Sequence, residues 1–288
     1  MPSGHQEVSS WLRQAGKPAW MMGVLNCTPD SFSDGGQYFN VDKAVQHGVQ
    51  MHEAGASLID VGGESTRPGA SFISIEEELK RVIPVVQTLV KAGCSVSIDT
   101  RKAEVMRQAV EVGACMINDV TALSYDEHSL STAAKMGVDV CLMHMQGTPK
   151  SMQENPCYED VMQAVIGYFE ARIEACLQAG IQQASIILDP GIGFGKRQQD
   201  NLHLIMHIDV LKKYFNLPVL LGVSRKSLIG TITGAVVEDR EFETGILDAF
   251  GIYLGVDGVR VHNVALQKRA NMMAMALSDA RYGENNLE

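Results

Sequence analysis

The chain has 288 residues, 45% hydrophobic and 20% charged, enough for one large domain or two small ones with a substantial core. A net charge of -10 with no dense Lys/Arg block argues against a general nucleic-acid binder, yet leaves room for a local basic pocket that holds an anionic small molecule. No run of about eighteen apolar residues occurs, and the N-terminal MPSGHQEVSSWLRQAGKPAW lacks the charged-then-apolar order of a secretory signal, so a cytoplasmic location is the expectation.

Along the chain, short apolar runs alternate with amphipathic stretches eight times. The first run, MMGVLN (21–26), ends in Asn26 and opens into NCTPDSFSDGG, a loop longer than the two to six residues of an ordinary strand-to-helix turn. VDKAVQHGVQMHEAG then reads as a helix. SLIDVGG (57–63) runs into Glu64 to Arg67 and is followed by the helical EEELKRVIPVVQTLVKAG. SVSIDT (95–100) ends in Asp99 and Thr100, CMINDV (115–120) carries Asn118 and Asp119, and VDVCLMHM (138–145) delivers His144. After the helical EDVMQAVIGYFEARIEACLQAG, ASIILDPG (184–191) reaches Asp189, and PVLLGVS (218–224) leads to Arg225 and Lys226. GVRVHNV (258–264) carries Arg260 and His262 ahead of the last helix, ALQKRANMMAMALSDAR. Gly55, Gly93, Gly113, Gly137 and Gly180 stand where helices should stop.

Apolar strands joined by helical crossovers imply a parallel sheet covered by helices. Eight strands with eight helices match a (β/α)8 TIM barrel, class α/β, better than a doubly wound sheet, which more often has five to seven strands. One barrel domain is expected over 18–282, between an N-terminal extension (1–17) and a C-terminal tail (283–288). The six cysteines, Cys27, Cys94, Cys115, Cys141, Cys157 and Cys176, form no CxxC pair and read as reduced thiols.

Every strand brings a polar or ionisable residue to its C-terminal end, where such barrels place their reacting groups. Thr100, Asp119 and Ser224 are equally well explained singly as helix caps. Asp99 after SVSI and Asp189 after SIIL are less easily dismissed, because burying a carboxylate without a partner is costly. Asp99, Asn118, Asp189 and Lys226 form a set suited to a flat polar heterocycle; Arg67, Arg260 and His262, with Asn26, form a second suited to a phosphate or pyrophosphate and a divalent metal. DPGIGFGK fails both the Walker A and the GxGxxG spacing, so its glycines read as letting the turn approach a ligand. His203 and His207 read as a solvated helix face rather than a metal pair, and the methionines of NMMAMALS as core or subunit contact.

At these residues the sequence resembles the dihydropteroate synthases of folate synthesis, through NCTPDSFSDGG, DVGGESTRPGA, SIDTRK, INDV, LMHMQGTPKSMQ, LDPGIGFGK, SRKSLIG and RVHNV, in that order. The resemblance implies condensation of 6-hydroxymethyl-7,8-dihydropterin pyrophosphate with 4-aminobenzoate by a dissociative, SN1-like substitution. It implies that Asp99, Asn118, Met143, Asp189 and Lys226 hold the pterin, and that Asn26, Thr66, Arg67, Arg260 and His262 hold the pyrophosphate, with Asn26 on Mg²⁺. The 4-aminobenzoate is then expected against Ser31, Phe32, Thr66, Pro68, Phe194, Lys226 and Ser227, and Asp99, Lys226, Arg260 and His262 carry the catalysis. A homodimer through the late helices is expected too. The chain departs from the family in Asn263, where Asp is commoner, leaving the orientation of His262 open, and in Cys27, where an aliphatic is commoner. Two alternatives stay open, a methyltetrahydrofolate methyltransferase and a non-catalytic pterin-binding barrel. The first gives no reason for the two long loops or the Arg260 and His262 anion site; the second does not need an intact set of polar groups.

Overall fold

The structure, a computed structural model, describes residues 19–28, 40–65, 72–148 and 151–283. The 1–17 extension lies outside them, as does the tail apart from Gly283, which ends the last helix.

Eight parallel strands form the barrel: β1 (Trp20–Asn26), β2 (Leu58–Gly62), β3 (Val96–Asp99), β4 (Met116–Asp119), β5 (Asp139–Met143), β6 (Ile186–Asp189), β7 (Leu220–Leu221) and β8 (Gly258–Val261). Sequential strands pair from β1 to β6, β8 pairs with both β1 and β7, and a parallel bridge between Leu188 and Val219 completes the ring.

Among the described residues ten α-helices cover it: α1 (Val41–Ala54), α2 (Ile75–Lys91), α3 (Ala103–Glu111), α4 (Ser129–Met136), α5 (Val161–Gln178), α6 (Gln198–Met206), α7 (Ile208–Phe215), α8 (Ser227–Thr233), α9 (Glu241–Tyr253) and α10 (Val264–Gly283). The expected one helix per strand fails twice. After β6 the helix breaks at His207, whose non-helical backbone ends α6 and begins α7, and two helices likewise follow β7. The helix starts follow capping chemistry: Asn40, Ser74 and Asp160 each accept the N–H three residues on. All five glycines read as helix stops have positive φ.

The strands look uniformly apolar in sequence because both faces are buried, but the two faces differ. Outward residues such as Ile59, Val61, Ile98, Ile117, Val140, Leu142, Leu188 and Val259 pack against the helices. Inward residues Trp20, Met22, Leu58, Met116, Cys141, Ile187 and Leu220 form a separate cluster inside the barrel. Two residues further along several of these strands, on the same inward face, stand Asp60, Asn118, Met143 and Asp189. The interior thus has an apolar floor and a polar upper layer. The indole of Trp20 covers Gly258, where an added Cβ would lie 2.4 Å from the ring, so only glycine fits there. No helix among the described residues is long and apolar enough to cross a membrane.

Candidate active site

Asp60 organises the centre of the upper layer. Its Oδ2 accepts Arg260 Nε–H at 2.7 Å and Asn118 Nδ2–H at 2.9 Å, and the other Arg260 arm, Nη2, donates to Asp99 Oδ2 at 2.8 Å. Arg260 therefore joins the two sets that the sequence reading kept apart. Asp60 itself was missed there, being taken as part of the apolar run SLIDVGG. The usable signal was its parity, inward like Leu58 and facing the same interior as Asp99.

Burial and the Asp60 carboxylate push Asp99 well above the ordinary range, against the pull of Arg260. Burial also raises Asp189, although Gly191 N–H donates to its Oδ1 at 2.7 Å. Asp189 Oδ2 has no hydrogen bond among the described residues, and the absence of a side chain at Gly222 keeps that oxygen open. Lys226 starts α8, with its ammonium 4.0 Å from the centroid of the Phe194 ring. Burial brings its amine down to about 8. Three carboxylates and two cations therefore lie together at the barrel mouth, a surplus of acceptors suited to a ligand rich in N–H groups.

The remaining polar strand ends divide into site and scaffold. His262 is held by Ser224, whose Oγ lies 2.9 Å from Nδ1 and also accepts the His262 backbone N–H. Asn263 accepts the Leu266 N–H at 3.1 Å as the cap of α10, so it orients the helix while Ser224 orients the histidine. Asp119 folds the turn after β4, accepting from the Thr121 N–H and O–H and from the Leu123 N–H. Thr100 donates to Glu78. His144 is buried with its ring edge-on to Tyr168, and burial lowers it to about 3, so it packs as a neutral ring.

Several of the described loop segments at the mouth are tied to one another. Glu64, at one end of the second loop, accepts the N–H of Ile73 from the other end at 3.0 Å, while its second oxygen takes Arg101. Lys102 donates to Ile73 O and to the buried Glu78. Arg240 donates to the carbonyls of Arg225 and Lys226, fixing the backbone that presents Lys226. The glycines of DPGIGFGK serve close packing between loops: a Cβ on Gly191 would meet His144 O at 1.9 Å, and one on Gly195 would meet Gln146 O at 2.5 Å. They bring the β6 loop onto the β5 loop. His203 and His207 are exposed and stacked, with His207 Nδ1 2.9 Å from His203 O.

Asn26 ends β1, half-buried at the same mouth, and its side-chain amide makes no hydrogen bond among the described residues. Met143 closes β5, Phe194 stands half-buried, and Ser227 is exposed at the first turn of α8. Ser31, Phe32, Thr66, Arg67 and Pro68 lie outside the described residues.

A closed (β/α)8 barrel with this acceptor-rich mouth has the form of a heterocycle-binding enzyme, and residues 22–262 match the family model described as pterin binding enzyme. A dihydropteroate synthase from Escherichia coli is 47% identical over 245 residues, covering 85% of this chain and 86% of the relative. The Yersinia pestis dihydropteroate synthase, solved with a sulfonamide drug complex, superposes with a TM-score of 0.86 at 44% identity, covering 90% of this chain and 94% of the other. That of Xanthomonas albilineans with 4-aminobenzoic acid gives 0.84 at 44% identity, covering 91% and 93%. The chain belongs to the dihydropteroate synthases, transferases of folate biosynthesis.

Proposed function

We propose that the mouth binds its substrates in layers, with 6-hydroxymethyl-7,8-dihydropterin pyrophosphate below and 4-aminobenzoate above. The pterin ring lies on Asp99, Asn118, Asp189 and Lys226 beside Met143, its amino and ring N–H groups donating to the aspartates and its carbonyl accepting from Lys226. Arg260 and His262, with Thr66 and Arg67 of the second loop, take the pyrophosphate. The 4-aminobenzoate rests against Phe194 near Lys226 and Ser227, with Ser31, Phe32, Thr66 and Pro68 completing that layer. The observation that carries this reading is that Asp189 Oδ2 and Lys226 Nζ, neither with a hydrogen bond among the described residues, lie at the barrel mouth beside the Asp60–Arg260–Asp99 bridge.

The C–O bond at the pterin methylene breaks first, its electron pair leaving with pyrophosphate. Arg260 and His262 oppose the charge that develops there. The carbon left behind is electron-poor and conjugated with the pterin, and negative charge on Asp99 beneath the ring stabilises it. The aminobenzoate nitrogen, neutral at pH 7, then forms the new C–N bond and loses a proton to water. Water has to be kept from the site, since it would capture the carbon first.

A Mg²⁺ ion fits the Asn26 amide oxygen, which has no other partner among the described residues; there, no group of three His, Cys, Asp or Glu side chains forms a protein-only site. Mg²⁺ commonly takes one or two protein oxygens and completes its shell with phosphate and water. When bound, it would neutralise charge on the departing pyrophosphate.

The reading includes a homodimer and a cytoplasmic location. Supporting the first, α9 and α10 expose Phe242 (75%), Met273 (62%) and Leu277 (58%) on one apolar face. Supporting the second, Cys27, Cys94, Cys141 and Cys176 are buried as free thiols.

Mixing the purified chain with the pterin pyrophosphate, Mg²⁺ and 4-aminobenzoate, and following pyrophosphate and dihydropteroate together, tests the activity. Equimolar release is expected; folded protein without product would overturn the reading. A monomeric mass at micromolar concentration would remove the dimer alone.

A further inference from the structure

Lys196 belongs to the glycine-rich loop after β6 and touches neither substrate in the layers above. It is 3% exposed, and its Nζ donates to Gly191 O at 2.8 Å, Phe194 O at 3.0 Å and His144 O at 3.2 Å. An ammonium has three N–H bonds, and each has a carbonyl. Two acceptors lie in the β6 loop and the third follows β5, so one charge joins two neighbouring loops.

Three further anchors of the loop are neutral groups. Tyr158 O–H donates to Gly195 O at 2.6 Å, Gln153 Nε2 to Gly193 O at 2.8 Å, and the Gly193 N–H to Asn201 Oδ1 at 2.7 Å. Phe194 lies in the middle of these anchors, with its N–H on Gly191 O and its own carbonyl on Lys196. Its ring projects beneath the Lys226 ammonium. Where the ring stands is therefore governed by a backbone whose carbonyls converge on a single nitrogen.

Keeping an ammonium in that position is costly. Burial brings the Lys196 amine down to about 7, opposed by Asp189, reinforced by Lys226 and opposed again by Asp200, while His144 beside it is neutral. A neutral amine has two N–H bonds for three carbonyls, so losing the proton frees one of them.

We propose that Lys196 is a positioning residue for the second substrate, setting the Phe194 ring by holding the β5 and β6 loops in one register. The inference rests on the placing of 4-aminobenzoate against Phe194 under the proposed function. It assigns the terminal lysine of DPGIGFGK to the aromatic layer rather than to phosphate.

The test starts with steady-state kinetics of the wild-type chain, then of Lys196→Met. A rise of at least tenfold in KM for 4-aminobenzoate is expected, with kcat at saturation within threefold and calorimetric affinity for the pterin pyrophosphate within twofold. Lys196→Arg, which keeps the charge and several donors, should recover most of the loss. Combined with Phe194→Ala, the Lys196→Met effect on KM should nearly vanish, because the group it positions is gone. An unchanged KM, equal weakening of both ligands, or full additivity with Phe194→Ala overturns the inference. If Lys196→Met does not fold, Lys196→Gln is read in its place, and a KM within twofold of wild type overturns the proposal equally. A wild-type chain that forms no dihydropteroate overturns the active-site reading and this inference together; normal wild-type turnover with unchanged variant KM removes this inference alone.

Discussion

Asp60 and Arg260, 200 positions apart in sequence, are joined by an Nε–H···Oδ2 bond of 2.7 Å at the centre of the barrel mouth. The same Asp60 oxygen takes Asn118, so a residue that reaches no substrate in the proposed layers fixes two that do. Asp60→Asn removes the charge but leaves Asp99 to neutralise Arg260, whereas Arg260→Met strands both carboxylates. Breaking a buried pair by removing one partner costs about 3–5 kcal/mol. Urea denaturation should therefore show Arg260→Met to be the more destabilised of the two variants, and calorimetry should show at least a tenfold loss of pterin pyrophosphate affinity in Asp60→Asn. Equal stability of the two would refute this account of the bridge.

Under the proposed mechanism Asp99 has a different part, its charge acting on the electron-poor carbon. Asp99→Asn keeps the shape and one acceptor, so pterin affinity should fall less than tenfold while kcat falls roughly 10²-fold or more, as for loss of a single electrostatic contact in a transition state. Equal losses in both would assign Asp99 to binding alone.

The alkaline limb of pterin binding should report on Lys226. With its amine brought down to about 8, Lys226 is charged below that pH and neutral above it, so affinity for the pterin pyrophosphate should fall as pH rises through 8 to 9. Lys226→Arg keeps its charge over the whole range. Calorimetry from pH 6.5 to 9.5 should show the fall displaced upward in the arginine variant, and identical profiles would exclude Lys226 as its source.

Asp248, buried on α9, has neither oxygen hydrogen-bonded among the described residues, and burial together with Glu241 pushes its carboxyl well above the ordinary range. A raised carboxyl favours the folded state below the unfolded value and loses that advantage as pH rises toward the folded one. Asp248→Asn removes the titration, so its stabilisation over wild type should be larger at pH 8 than at pH 5. A Tm gain of about 2 °C or more at pH 8 corresponds to at least half a kcal/mol for a chain of this size. A gain independent of pH would show that the carboxyl does not titrate in the fold.

Strand order and helix stops were legible because each βα unit carries its own punctuation: an apolar run, a polar end, an amphipathic helix and a glycine. The break at His207 was not legible, since neither Gly nor Pro marks it and both halves share helical periodicity. Asp99 and Asp189 stood out as acids closing apolar runs. Asp60 did not, because apolar neighbours on both sides hid its inward parity. Lys196 was masked differently, by glycines that suggest phosphate binding although the backbone uses them for loop-to-loop contact. For Ser224 the cap and site readings stood level, and only the fold brings it across from β7 to His262.

The indole that covers Gly258, with Met22, Leu58, Met116, Cys141, Ile187 and Leu220 around it, makes the barrel a vessel plugged, among the described residues, at the end away from its polar mouth. Traffic through such a vessel runs in single file. Under the proposed layering, a ring destined for Asp99 and Asp189 would enter before anything occupies the layer above, and the joined product would back out by the route its parts came in. In that arrangement the plugged end would itself impose a queue, and a molecule lodged at the aromatic level would trap the occupant beneath it.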